Sequence, residues 1–501
     1  VRTPSALLLS ILLSAGLFTV VFYKQFIGLN LLLFEGAIIL VLYAQRRITL
    51  DVEVLMTTFG TLLTAFMVVV HNSALAITVN FFSLFLMIGT LLYPKARALS
   101  YSFAFSLCHV PYAQFEFFKQ VAQLGNGRPA MGRAIRWMRI VVIPLVILVV
   151  FISIYQAANP MFAQLVTKFT DRLAWLVKTL TAHLDAWAVL TFILGVLICD
   201  FLLLHTTEKS LVENVVKVSD HLRRTKVPSR KMKMHLGLRR EWRSALFLLV
   251  ILNVLLLVVN CIDIYWVWFN FEWSGDYLKQ FVHEGTNLLI FSIIISVLVI
   301  LYIFKNNLNF LSTNGLLKKL AYVWLAQNVI LALSVGVRNY HYIQHYALAH
   351  KRIGVMFFLL ATIVGLITVM VKVQKKRSAH YLFRTNFMAC YCILVLMTVV
   401  NWDVQIAKFN FAHADRSFVH LDYLVTLCNG ALPHLSHNPE ELKRIETGNK
   451  RFPSDVNYMT SERYLELLER RELAFAEKMQ TKHWLSWNWT EHSAYQRLKA
   501  K

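Results

Sequence analysis

The chain has 501 residues, of which 57% are hydrophobic, and carries 51 Lys+Arg against 28 Asp+Glu. Soluble domains hold roughly 45–50% apolar residues, so this composition, with a mean hydropathy of +0.53, excludes an ordinary soluble enzyme. The net charge of +23 does not mark a nucleic-acid binder, because from Lys408 onward 14 basic residues meet 12 acidic ones and the excess lies among the apolar runs. Charge sorted by membrane topology accounts for that pattern.

The apolar runs are continuous and about as long as a bilayer crossing requires. Strands of a membrane β-barrel would alternate apolar and polar residues instead. The expected fold is all-α: a polytopic transmembrane helical bundle over residues 1–411, then a small soluble helical tail over 412–501. Eleven spans emerge in chain order, near 6–23, 27–44, 52–70, 75–93, 138–155, 186–204, 244–268, 287–304, 320–337, 353–371 and 385–402. The first run follows Arg2 and lacks a small-x-small cleavage pattern, so it reads as a retained span. The apolar stretch 101–110 reads as interfacial or re-entrant.

With the N-terminus placed inside, the inner segments hold 29 Lys+Arg and the outer loops hold 8. That bias recurs loop after loop. It predicts an odd number of spans and an extracytoplasmic tail. The largest inner loop, with "HLRRTKVPSRKMKMHLGLRREWR" at 221–243, either fixes topology or meets anionic headgroups. The tail segment 460–480 reads as an exposed helix capped by Thr460 or Ser461, with Glu/Arg pairs at helical spacing. Three tryptophans in "HWLSWNWTEH" (483–492) suit docking onto the membrane surface or the bundle.

Candidate site residues follow from this topology. Arg338 and Arg352 bracket the outer connection between the ninth and tenth spans. With Tyr342 and Tyr346 they could bind an anionic group such as a lipid phosphate, which a guanidinium fork suits. Alternatively they snorkel and end the spans. Glu35, in "LLLFEGAII", is an ionisable group near mid-span, where it is costly. It either carries protons or ions or hydrogen-bonds to Gln327, Asn328 or Asn253. His341 and His345 share a helix face, and His283 stands in another outer loop. These are weak metal candidates, because no third ligand is implied by spacing. The six cysteines have no Cys-x-x-Cys spacing and read as structural thiols. No metal, cofactor, Walker motif or nucleophile elbow is indicated.

Several phrases together carry a family likeness: "AANPMF" (157–162), "FVHEGTNLLIFSI" (281–293), "RNYHYIQHYALAHKRIGV" (338–355), "NWDVQIAKFNF" (401–411) and "LDYLVTLCNGALPHL" (421–435). In that order and spacing the chain resembles the bacterial membrane family called domain of unknown function 4173, related to domain of unknown function 4153. The family loop reads Arg, then Tyr-Gly-Leu-Thr, then Arg. Here Arg338, Tyr346 to Ala349, and Arg352 hold the matching places, with Ala347 and Ala349 where the family has Gly and Thr. The resemblance implies a protein of the bacterial cytoplasmic (inner) membrane and assigns no activity. The expected function is a non-enzymatic scaffold, sensor or accessory subunit that contacts membrane lipids, and a protein partner through its tail, with no nucleic acid bound. The alternative is a transporter or lipid-modifying enzyme using Glu35 or the Arg338/Arg352 pair.

Overall fold

The computed structural model describes residues 4–49, 51–94, 98–124, 148, 151–153, 155–156, 159–180, 185–204, 219–222, 231–271, 275–304, 307–311, 313–452 and 459–500. Among these every regular element is helical. Seven described helices are long and apolar enough to cross a bilayer: 52–71, 74–92, 186–203, 239–269, 315–346, 350–375 and 379–397. Three shorter apolar helices, Ala6–Phe22, Leu29–Ala44 and Asn287–Ile303, coincide with three further expected spans. The expected span 138–155 lies almost wholly outside the described residues. The chain divides into two compact units.

The first unit comprises residues 1–213 together with 482–488. It holds α1 (Pro4–Phe22), α2 (Leu29–Ala44), α3 (Val52–His71), α4 (Ala74–Leu92), α5 (Leu99–Leu124), α6 (Pro160–Leu180) and α7 (Ala186–Leu203). α3 packs on α4, α1 on α7, and α4 on α5. The α4–α5 crossing is close because Gly89 has no side chain: a Cβ there would stand 2.0 Å from the Ser102 carbonyl oxygen. Small residues allow such approaches between membrane helices. The stretch 101–110 forms the first half of α5, a 26-residue helix that carries Pro111 inside it. Asp185 starts α7 by accepting from the Trp187 N–H at 3.1 Å. The same carboxylate takes Lys24 at 3.1 Å and the Tyr23 hydroxyl, so the end of α1 and the start of α7 lie side by side.

The second unit comprises residues 214–481 together with 489–501. Its long helices are α8 (Lys231–Asp263), α9 (Gly275–Ile303), α10 (Gly315–Tyr346), α11 (His350–Lys375) and α12 (Ala379–Met397). α10 is central and packs on α8, α9 and α11. Leu317, Ala321, Leu325, Leu331 and Val335 of α10 join Leu249, Ile293, Ile300, Leu366 and Val369 in one core. Polar bonds cross it as well: Gln327 Nε2 donates to Asn253 Oδ1 at 3.0 Å, and Asn260 Nδ2 donates to the Gln327 carbonyl at 3.1 Å. α8 ends in a π-helical turn, Ile264–Phe269.

The tail, meaning the chain after the last expected span, starts ten residues before the expected boundary at 412 and contributes α13 (Trp402–Ala412), the short α14 (Leu421–Leu424) and α15 (Leu432–Leu435), α16 (Pro439–Asn449), α17 (Ser461–Thr481) and α18 (Trp489–Lys499). Thr460 caps α17, its hydroxyl accepting from the Arg463 N–H at 3.3 Å. Glu446 also accepts from the Ser461 N–H and hydroxyl, at 2.9 and 2.8 Å. These bonds hold its carboxyl below the usual range. Tyr464 is fully buried and donates its hydroxyl to the Leu435 carbonyl at 2.9 Å. The tail core includes Ile353 of α11 beside Ile406, Leu424, Leu435, Tyr464 and Phe475. The tail is therefore built onto the start of a membrane helix.

At the other end of this unit, residues 220–222 lie along the turn after α11. The Leu222 N–H donates to the Lys376 carbonyl and the Ser378 N–H to the Asp220 carbonyl, each at 2.9 Å. Asp220 also pairs with His380 at 3.1 Å and Arg384 at 3.0 Å.

Candidate functional site

The stretch expected as an outer loop, 338–352, is mostly helix. α10 runs on to Tyr346 and α11 begins at His350, which leaves residues 347–349 as the connection. Hydropathy falls at Arg338, but a helix that leaves the bilayer can keep its own backbone bonds. The last carbonyls of any helix still need outside donors. Here the tail supplies them: Ser417 Oγ donates to the Gln344 carbonyl at 2.6 Å and the Phe418 N–H to the His345 carbonyl at 2.7 Å. Arg352 Nη1 donates to the carbonyls of Tyr346 and Ala347. A cation at a helix C-terminus is also favoured by the helix dipole.

Ala347 turns the chain with φ 61° and ψ −173°. That region is essentially a glycine region, and glycine is the residue the resemblance puts there. The tail locks the next residue in both directions. Asn410 Oδ1 accepts from the Leu348 N–H at 2.7 Å, and Asn410 Nδ2 donates to the Leu348 carbonyl at 3.0 Å.

A second clasp lies at the start of α11. The Tyr423 oxygen accepts the backbone N–H of His350 at 3.1 Å. The same hydroxyl is hydrogen-bonded to His350 Nδ1 at 2.6 Å, and His350 Nε2 meets Asp403 Oδ1 at 3.0 Å. Burial acts to raise the Asp403 carboxyl. Hydrogen bonds from His350 and Cys428 outweigh it and hold the group below the usual carboxylate range. Burial, with the Asp403 charge beside it, pushes the Cys428 thiol up to about 12, so the thiol stays protonated and unreactive at neutral pH. Burial also raises the Tyr423 phenol. Arg471 of α17 donates to the carbonyls of Val425 and Leu427 and to Asn429 Oδ1, which fixes the loop behind Tyr423.

The sequence-derived residues divide among several places. Tyr342, Tyr346 and Arg352 come together: the two rings lie 4.8 Å apart, and the Arg352 guanidinium sits 4.5 Å from the Tyr342 ring centre. Arg338, one turn earlier, is buried and ion-paired with Asp263 of α8, which also accepts from Ser334 Oγ at 2.6 Å. His341 Nε2 lies 3.0 Å from the Val267 carbonyl in the π turn, and its ring stacks on Phe271 at 4.2 Å. His345 packs edge-on against Phe452 and Tyr346. His283 lies on α9, and its side chain is outside the described residues. Among the described residues no three His, Cys, Asp or Glu side chains are grouped so as to hold a metal ion.

Glu35 belongs to the first unit and is 1% exposed. Its partner is Asn80 of α4, whose Nδ2 donates to Glu35 Oε2 at 3.0 Å, rather than Gln327, Asn328 or Asn253. Those three lie in the second unit, where Gln327 and Asn253 pair with each other.

Sequence reasoning sets Asp263 aside as lying near a span end, and passed over Asp403, Asn410, Tyr423 and Arg471. Three of them, Asp403, Asn410 and Tyr423, stand in phrases that carry the family likeness, "NWDVQIAKFNF" and "LDYLVTLCNG", and that was the available signal.

The first unit also has a tail contact of its own. Phe26 N–H donates to Ser486 Oγ, Ser486 Oγ to Gln25 Oε1, and Leu29 N–H to the Trp487 carbonyl, each at 3.0 Å. Gly28 admits this backbone, since a Cβ there would stand 2.5 Å from the Ser486 carbonyl oxygen.

No curated protein and no solved structure matches the chain. A family model described as "Domain of unknown function (DUF4153)" matches residues 7–437. The apolar helices, the tail clasped to α10 and α11, and this match over most of the chain lead to one conclusion: the protein is a member of the DUF4153 family.

Proposed function

We propose that this protein is a non-enzymatic component of the bacterial cytoplasmic membrane, a scaffold or accessory subunit. It crosses the bilayer eleven times, with the N-terminus inside and the tail outside. Its outer face, formed by the end of α10, the start of α11 and the tail, contacts a partner protein or lipid. One observation carries this reading. The tail caps α10, clasps Leu348 and His350, and shares a core with Ile353, so it is a preformed rigid surface and not a tethered appendage. Trp484 and Trp489 stand exposed on the tail, the kind of aromatic anchor that interfaces use. Within this reading Arg352, with Tyr342 and Tyr346, is the contact for an anionic headgroup, and Arg338 serves by fixing α10 to α8.

The topology has independent support. Segments expected inside, 220–222 and 376–384, bond to each other. Segments expected outside do likewise: 344–350 with 410–423, and 25–29 with 486–487.

A photo-crosslinking residue at Trp489 should give a discrete adduct in living cells. Asn410→Ala, which loosens the tail, should diminish it. Absence of any adduct, or a phenotype lost with Glu35→Gln and untouched by tail variants, would overturn the scaffold reading. A second reading, a transporter or lipid-modifying enzyme, is favoured by the buried carboxyl of Glu35 alone.

A further inference from the structure

Glu35 and Asn80 leave a matched pair of oxygens unanswered. Glu35 Oε2 accepts from Asn80 Nδ2, but neither Glu35 Oε1 nor Asn80 Oδ1 has a hydrogen-bond partner, and both atoms are buried. Asn80 is fully buried and Glu35 nearly so. The orientation of the Asn80 amide is not arbitrary. Its Nδ2 also faces the Thr61 carbonyl at 3.2 Å and Thr64 Oγ1 at 3.3 Å, so exchanging N and O would set the amide oxygen against the carboxyl oxygen and the Thr61 carbonyl.

No described ion pair includes Glu35; no Lys, Arg or His occurs in α1, α2 or α4 as described. The other titratable groups of α2 and α3 stand near their ends: Tyr43, Glu53 and His71. A lone carboxylate in such a place would be buried without a counter-charge, which is very costly. Two orphan acceptors side by side in chemistry, one on an acid and one on an amide, are what a single hydrogen satisfies. Hard cations gather six or more oxygens.

We propose that Glu35 and Asn80 form a proton-binding site inside the membrane. The carboxyl is protonated on Oε1 and gives that hydrogen to Asn80 Oδ1, while Asn80 Nδ2 gives one to Oε2, closing a carboxylic acid–amide pair. Thr64 of α3, fully buried, flanks the pair: its hydroxyl accepts from Asn80 Nδ2 at 3.3 Å and donates to the Gly60 carbonyl at 2.7 Å. The inference shares Glu35 with the second functional reading but requires no transport, so either can fail without the other.

Infrared difference spectroscopy of the full chain in liposomes tests it. The wild type at neutral pH should show a protonated-carboxyl C=O band that Glu35→Gln removes. Asn80→Leu should shift that band toward the position of an unbonded acid. A second measurement needs no variant. A hydrophobic carbodiimide adds the O–H of a protonated acid across its C=N bond with no leaving group, and mass spectrometry should locate the adduct on Glu35. A carboxylate band at Glu35, an unlabelled Glu35, or displacement of the acid band by sodium chloride would each overturn the proposal.

Discussion

Ala347 is the residue where local preference and tertiary demand disagree most. Its φ of 61° with ψ of −173° lies where a Cβ costs about 1–3 kcal/mol. It is held there because its carbonyl takes Arg352 and the next residue is gripped by Asn410 on both its N–H and C=O. Ala347→Gly should therefore raise stability by roughly 1 kcal/mol, the relief outweighing the greater entropy of an unfolded glycine. Thermal unfolding in detergent, followed by tryptophan fluorescence, measures it, and a lower melting temperature would refute the strain. Arg338 illustrates the opposite balance. It is buried with Asp263 and Ser334, and removing one member of such a pair costs about 3–5 kcal/mol, because the other charge is left stranded. From sequence Arg338 and Arg352 looked alike. They differ because one meets a carboxylate and the other meets carbonyls and a tyrosine ring. Tyr342 and Tyr346 were legible as neighbours from their spacing of four, which is one helical turn.

Among the elements, α13 holds the tail to α11 through Asp403 and Asn410, and the grip has a pH sign. The folded carboxyl of Asp403 is depressed by His350 and Cys428 against the pull of burial. Its contribution is then fully present above the ordinary carboxylate value and is lost as pH falls through the lower folded value. Hydrogen exchange of the backbone over 403–428 should accelerate only in acid below the ordinary carboxylate range. In Asp403→Asn it should be fast at neutral pH and respond less to acid. Exchange in the wild type that is indifferent to acid would remove the role of the carboxylate. The apolar helices themselves were easy to read, since length and hydropathy suffice for them. Their ends were not. α10 overran its expected end by a turn and more, because the tail satisfies the carbonyls of Gln344 and His345. Partners 62 to 75 residues apart, such as Leu348 with Asn410 and Arg338 with Asp263, leave no local period to detect.

For the whole molecule, charge sorting makes a claim that chemistry can check. With native cysteines replaced, Glu477→Cys on the tail should react with a membrane-impermeant maleimide in intact spheroplasts. Lys375→Cys, at the end of α11 beside the basic turn, should react only after permeabilisation. The reverse pattern would sink the N-in, tail-out arrangement. The expected sign of this topology rests on the bias of Lys and Arg toward one side. Which amide answers Glu35 was not legible, because hydropathy carries no information about which helices touch: the partner came from α4, 45 residues on, and not from the amides of α8 and α10.

The capping of α10 by Ser417 and Phe418 has a consequence for biogenesis. When the nascent chain has delivered α10 and α11 to the bilayer, the carbonyls of Gln344 and His345 still await donors about seventy residues away, on a segment that the proposed topology requires to be translocated first. Until it arrives, that hairpin is unfinished at its rim, and a stalled or truncated product would present frayed helix ends to the membrane's quality-control proteases.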